Sequence, residues 1–251
     1  MTKQVGSARL AAVGDGTHIP AQSTRNLARL AYEKIENLIV NCELRPGTRL
    51  SIHDLQIAVG LSRMPVHQAV NRLADDTLII VLPRYGLKIA PIDLTRERTL
   101  LHLRADLERF VVQLAAERSS STHRNQLLHL SRLLSERRQD MTIEDFNVFD
   151  RRIDELILSA AGEPFLQHTL RPLHTIFRRI GWIYHNRLNA PMPLDKTIDC
   201  HLAVLDAVAN RHEQQAIEST NQLIDFVNTM FDVIEQSIDP TWLDASIQPI
   251  L

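Results

Sequence analysis

The sequence predicts a mainly α-helical protein in two parts, an N-terminal winged helix-turn-helix and a C-terminal antiparallel α-helical bundle. Three observations carry this prediction. Residues 25–75 hold three segments of helical apolar periodicity, separated by Pro-Gly and Gly punctuation. Residues 78–89 read as two short strands around a Gly-containing turn. From residue 94 to 236 helical periodicity returns, with only short breaks. The chain has 251 residues, 44% of them hydrophobic, which is enough to bury a sizeable core without staples. With 8 Gly and 11 Pro it is neither low-complexity nor collagen-like.

Each element follows from local chemistry. Residues 1–24 lack sustained periodicity and are expected to form a flexible tail. Between Arg25 and Cys42, the positions Leu27, Leu30, Ala31, Ile35, Leu38 and Ile39 recur at helical spacing. Leu44-Arg45-Pro46-Gly47 stops that helix, and Arg49-Leu50-Ser51 reads as a very short strand ending on an N-cap residue. Residues 52–59 form a short helix closed by Gly60, and Ser62 caps the next, 63–75. Leu78-Ile79-Ile80-Val81 and Leu87-Lys88-Ile89 flank Pro83-Arg84-Tyr85-Gly86 as a hairpin. Beyond Pro91, helices are expected with breaks near 119–123, 140–143, 162–164, 190–195 and 210–212, then an irregular tail over 237–251. The domains are therefore 25–92 and 94–236.

The net charge of −2 hides an asymmetry. Residues 1–95 carry 11 Lys and Arg against 8 Asp and Glu, whereas the remainder carries 17 against 22. A mildly basic N-terminal part fits nucleic-acid contact. Cys42 and Cys200 form no disulfide framework or zinc-ribbon spacing, which suits a cytoplasmic protein. No apolar run reaches the ~18 residues needed to span a bilayer, so no membrane partner is expected.

In a helix-turn-helix the second helix enters the major groove N-terminus first. Here Gly60 permits the turn, while Leu55, Ala58, Leu61 and Val66 are expected to form the core between the helices. Ser62 is placed to cap and to reach a phosphate, and Pro65 is tolerated in a first helical turn. Arg63 stands where a guanidinium reaches a guanine edge bidentately. Arg84 and Tyr85 at the wing tip, with Lys88 and Arg49, are expected on DNA backbone or minor groove. Met64, His67 and Arg72 lie on the same helix and complete the expected DNA-contacting set.

Leu44 to Leu50, Leu61 to Leu73 and Pro83 to Gly86 resemble the GntR family of bacterial transcription regulators. Three positions depart from the family pattern. Met64 replaces Thr, His67 stands where the family has a DNA-contacting Arg, and Gln68 replaces Glu. The second part resembles the FCD ligand-binding domain of the FadR subgroup, through Leu103 to Glu108, Phe149 to Gly162, and the segment opening at His201. The resemblance implies a homodimeric regulator that binds double-stranded operator DNA, a repressor in most members, switched by a small-molecule effector.

Many such domains hold a divalent metal through one Asp and three His. Residue by residue those positions are Asp150, Asp154, His201 and Leu223 here, so one has become a carboxylate and one cannot ligate. Three readings stay open. A weakened site of Asp150, Asp154 and His201 favours Mg or Mn; the cavity takes a ligand without metal; or the residues form a satisfied polar cluster. No cofactor is required by the last two. Arg104 matches the family's cavity-facing Arg and is expected to clamp a carboxylate, unless it pairs with Glu108 four residues on. His174, Arg178 and Tyr184 on a central helix, 165–188, complete the expected ligand-binding set with Asp150, Asp154 and His201. Adjacent Arg178 and Arg179 suggest a partly solvated face. The rival readings are a helical metal-dependent hydrolase using Asp150, Asp154 and His201, and a metabolite-binding module without DNA binding. No nucleophile motif or phosphate loop supports the enzyme.

Overall fold

A computed structural model describes residues 21–188 and 192–247. The expected tail lies outside the described residues up to residue 20, but helix α1 (Ala21–Val40) already includes 21–24. Cys42, at φ +50°, turns the chain after α1, and the Leu44 N–H closes back on the Leu38 carbonyl at 3.0 Å. There follow β1 (Arg49–Leu50), α2 (Ile52–Val59), α3 (Arg63–Asp75), β2 (Ile79–Leu82) and β3 (Gly86–Ile89). The sheet is antiparallel in the order β1-β3-β2, with Leu82 opposite Gly86 at the wing turn and Arg49 opposite Lys88.

Local signals explain the turn between α2 and α3. Ser51 and Asp54 form a reciprocal capping box, the Asp54 N–H donating to Ser51 Oγ at 3.2 Å. Gly60 ends α2 in the left-handed conformation, φ +67°, where a side chain would be strained. Leu55 and Val66 pack between the helices as expected. Ala58 does not: it is exposed, and Val59 fills the core position beside Leu55. Leu61 is only half-buried. Leu55 and Val59 lie four residues apart, so ordinary helical spacing puts them on one face.

The helical part contains α4 (Leu94–Arg118), α5 (Ser121–Glu136), α6 (Ile143–Ala161), α7 (Pro164–Asn186), α8 (Asp195–Ala209) and α9 (Glu213–Ser237). Helix α4 packs along α9 and α6, while α8 packs between α5 and α9. Every residue from Leu173 to Ile180 is buried, so α7 has no solvent face there and forms the centre of the fold. Its buried stretch serves both parts, since Ile176 belongs to the winged-helix core with Tyr32, Ile35 and Leu73, whereas Phe177 and Ile180 belong to the bundle core.

The C-terminal segment expected as an irregular tail has structure of its own. A 3-10 turn over Pro240–Trp242 leads into a strap across both parts. The Ala245 N–H donates to the Pro46 carbonyl at 2.8 Å, and the Ile92 N–H to the Leu243 carbonyl at 2.8 Å. Gly47, at φ +80°, lies so close that an added Cβ would meet the Asp244 carboxylate and the Ala245 nitrogen. The Trp242 ring carries the Arg45 and Arg187 guanidiniums at 4.2 and 4.0 Å.

Candidate nucleic-acid interface and buried polar cluster

The first turn of α3 projects Ser62, Arg63, Met64 and His67 into solvent. Ser62 has N-cap backbone geometry, but its hydroxyl makes no cap bond to the helix, which corrects the expected capping role and leaves the hydroxyl available to an outside acceptor. Arg63 has no hydrogen bond or ion pair among the described residues. His67 Nδ1 lies 3.5 Å from Asn71 Nδ2 on the same helix. Met64 is 62% and Tyr85 79% exposed, too open for core residues. Arg84, at φ +70°, and Tyr85 form the wing tip, and Arg49 is exposed on β1.

Two expected contacts are placed differently. Arg72 follows Arg63 by nine residues, which at about 100° per residue is the opposite face of α3. Its guanidinium stacks on the Tyr32 ring, 4.4 Å from the centroid, at the junction with the bundle. It therefore does not join the α3 N-terminal set. Lys88 Nζ lies 3.4 Å from Asp244 Oδ2 and 3.4 Å from Ser246 Oγ, held by the C-terminal strap.

Inside the bundle, the expected ligand residues form one chain of buried charges. Arg104 Nε donates to Glu108 Oε1 at 3.2 Å, and the Arg104 guanidinium sits 5.1 Å over the Phe177 ring. His174 bridges two carboxylates, with Nε2 2.7 Å from Glu108 Oε1 and Nδ1 3.0 Å from Asp154 Oδ2. Arg178 binds Asp154 and, through Nε at 2.7 Å, Asp150. His201 Nε2 meets Asp150 Oδ1 at 2.9 Å, and its Nδ1 meets the Thr197 carbonyl at 2.7 Å. Burial alone would lower the His174 pKa, but the charges of Asp154 and Glu108 raise it to about 9. Burial would likewise raise Asp150, yet the Arg178 charge, then the His201 bond, hold its carboxyl far below the usual range. His201 is raised, its burial outweighed by the bond to Asp150.

Arg104 thus takes the pairing with Glu108 that its spacing allowed. Tyr184 is not in the chain: it packs edge-on against His185 at 5.0 Å and Phe226 at 6.3 Å. Arg178 and Arg179 are both buried, correcting the expected solvated face. Arg179 donates to the Ala90 carbonyl at 2.8 Å and pairs with fully buried Glu97 at 3.2 Å. Neither Glu97 nor Glu108 had been singled out as functional. Glu108 was expected only as the partner one turn beyond Arg104, and its contact with His174 carries no local signal.

These residues do not fit the Asp-and-three-His metal set. The Arg178 guanidinium binds both Asp150 and Asp154, so a fixed cation already neutralises them. Asp154 turns to His174 and away from His201, and Leu223 lines the same small cavity without a donor. Asp150, Asp154 and His201 therefore do not close into the expected weak site. Glu108, Asp154 and His174 do bring donor atoms within 4.8 Å of one another, close enough to share an ion. His174 has one of these carboxylates at each ring nitrogen, so an ion in this triad would compete with the proton that Glu108 and Asp154 favour on the imidazole. The cavity lined by Arg104, Asp150, His201 and Leu223 is about 50 Å³, room for ordered water but well short of a typical small-ligand site.

An exposed recognition helix and wing, joined to a helical domain with a charged interior, define a DNA-binding regulator of the winged-helix class. Residues 27–89 match the gntR family of bacterial regulatory proteins and residues 99–226 match the FCD domain. The chain belongs to the GntR family, in the FadR subfamily that carries an FCD domain. It is 26% identical over 211 residues to the HTH-type transcriptional repressor RspR of Escherichia coli K12, covering 80% of this chain and 91% of that protein. It is 22% identical to the repressor GlaR of the same organism, covering 82% and 95%. Among solved structures, E. coli McbR/YncC superposes with a TM-score of 0.71 at 18% identity, covering 82% of this chain and 97% of that one. A putative GntR regulator from Rhodococcus sp. RHA1 gives 0.62 at 18% identity, covering 83% and 98%. The family is one of transcription regulators, so the hydrolase alternative is set aside. No helix of the described residues is long and apolar enough to cross a membrane.

Proposed function

We propose that this chain is a cytoplasmic, sequence-specific operator-binding repressor that acts as a homodimer and changes operator affinity when a small organic anion binds. The carrying observation is the first turn of α3, where Ser62, Arg63, Met64 and His67 are all exposed. An exposed Arg at that place without an acceptor among the described residues suits bidentate readout of a guanine. Arg49, Arg84 and Tyr85 supply positioning contacts to backbone and groove. RspR and GlaR being repressors supports the sign of regulation. Dimerisation is supported by Leu103 and Phe110, two exposed apolar residues seven apart on α4, and by the specificity that paired half-sites add. Fluorescence anisotropy with DNA from upstream of the chain's own gene, against a scrambled duplex at matched salt, tests the reading. Preference for the upstream DNA by at least about a thousandfold is expected. Equal affinity for both duplexes refutes it.

A further inference from the structure

A second cavity lies where the two parts meet. It is about 320 Å³, within the range of small-molecule sites, and more than six times the cavity inside the bundle. One wall belongs to the winged helix, with Glu36 on α1 and Arg72 on α3. The other belongs to α6 and α7, with Arg151, Arg171 and Arg178.

The charges in this cleft are unevenly satisfied. Arg72 and Arg171 both stack on the Tyr32 ring, at 4.4 and 4.6 Å. Neither guanidinium donates a hydrogen bond to any of the described residues, and Arg171 comes no nearer than 3.9 Å to Glu36 Oε2. Glu36 is buried to 1% exposure and accepts from Thr175 Oγ1 at 2.5 Å, while its Oε2 faces Arg151 at 3.1 Å. Four arginines line the cleft against Glu36, Asp154 and Glu155, an excess of one positive charge. Each of the guanidiniums of Arg72 and Arg171 keeps a planar fork of donors that matches an oxyanion.

We propose that this interdomain cleft is a binding site for a small oxyanion, held by Arg72 from the winged helix and by Arg171 from the bundle. The proposal rests on the effector-responsive reading above and gives that effector a place and a charge. An anion that bonds both guanidiniums ties the two walls together. It binds one interdomain geometry better than others, which is the condition for a ligand to shift a conformational equilibrium. The outer edge of the bundle's charge chain, Asp154, His174 and Arg178, lines the same cleft, so the site is continuous with the buried cluster and not sealed within it.

The test uses the full chain and five probes: benzoate, succinate and inorganic phosphate, with benzamide and succinamide as neutral isosteres. Thermal unfolding is measured without DNA at ionic strength matched with chloride. At a hundredfold excess over Kd, at least one anion should raise the Tm by several degrees, and the neutral isosteres should not. The rise should vanish in Arg72→Gln and in Arg171→Gln and persist in Arg104→Gln. A response confined to carboxylates or to phosphate identifies the oxyanion and supports the site in either case. The same anion should change operator Kd by about tenfold in the wild type and leave it unchanged in both cleft variants. No anion effect above chloride overturns the proposal, as does an effect lost in Arg104→Gln but kept in the cleft variants. Operator preference of the ligand-free protein is read separately, so a failed regulator reading and a failed cleft are distinguishable.

Discussion

Replacing Arg178 by Leu tests the claim that a fixed guanidinium neutralises the centre of the bundle. The side chain binds two carboxylates, buried Asp150 and half-buried Asp154. After substitution each carboxylate keeps one histidine partner, His201 at 2.9 Å and His174 at 3.0 Å. Two charge-assisted bonds are lost, each worth roughly 1.5–3 kcal/mol, and removing one partner of a buried ion pair costs about 3–5 kcal/mol. The two figures agree. A loss of ~4 kcal/mol corresponds to a Tm fall of roughly 8–16 °C for a chain of this size. Urea unfolding followed by circular dichroism reads the change directly. The triple variant Arg178→Leu, Asp150→Asn, Asp154→Asn removes both stranded charges and should recover most of the loss, because neutral replacement of a buried ion pair is often near neutral. A single variant within about 1 kcal/mol of wild type refutes the reasoning. So does a triple variant less stable than the single one.

Four further outcomes follow from the same geometry. Arg63→Ala should weaken operator binding by about 1–3 kcal/mol and relax preference at one base pair; equal weakening on every sequence would make Arg63 a phosphate contact. His67→Arg restores a permanent cation on the exposed face of α3 and should steepen the salt dependence by about one unit of slope, as read by anisotropy across a salt series. Asp244→Asn frees Lys88 from the strap, where their nitrogen and oxygen lie 3.4 Å apart, and should also steepen that slope; an unchanged slope keeps Lys88 off the DNA. Burial raises the Glu97 pKa to about 7, against the opposing charge of Arg179, so the folded state holds the proton more tightly than the unfolded state. Stability therefore falls as pH rises from the ordinary glutamate range to about 7, by about 2–3 kcal/mol relative to Glu97→Gln between pH 5 and 8. A stability gap between the two proteins that is flat across this range contradicts the assignment.

The order of elements was legible because each boundary carries its own local chemistry. Gly60 at φ +67° ends α2 where the sequence places a C-terminal glycine, and Gly162 at φ +69° ends α6 in the same way. The exposed residues of α3 were legible for a similar reason, since helical spacing alone puts Arg63 and His67 on one side. Helical spacing also puts Arg72 opposite Arg63, and the DNA-contacting set overran that geometry. The charged interior was less legible. Arg178 and Arg179 are adjacent, and nothing in their spacing says that both find partners, one in Asp150 and Asp154, the other in Glu97 and Ala90. Those partners lie 24 to 89 residues away in sequence. Glu36 did leave a trace, as a carboxylate on the apolar stripe between Tyr32 and Ile39. The strap over 238–247 left none, because its backbone bonds go to Pro46 and Ile92 and its side-chain partner Lys88 lies 156 residues from Asp244 in sequence.

Helix α7 turns these separate pairings into one mechanical part. Within six consecutive residues, His174 meets Glu108 and Asp154, and Thr175 meets Glu36 of the winged helix. Ile176 enters the winged-helix core and Phe177 the bundle core. Arg178 holds Asp150 and Asp154, and Arg179 holds the chain between wing and α4 through Ala90 and Glu97. At about 100° per residue these side chains leave the helix in every direction. A rotation or shift of α7 therefore cannot adjust the bundle's charges without also moving the contacts to α1 and the wing. Tight packing resists small continuous changes and favours discrete arrangements. A ligand that alters the partners of Arg171 or Arg178 acts on the element that also seats the DNA-binding domain. Coupling between effector and operator then needs no long relay across the bundle, only a difference in affinity between two seats of one helix.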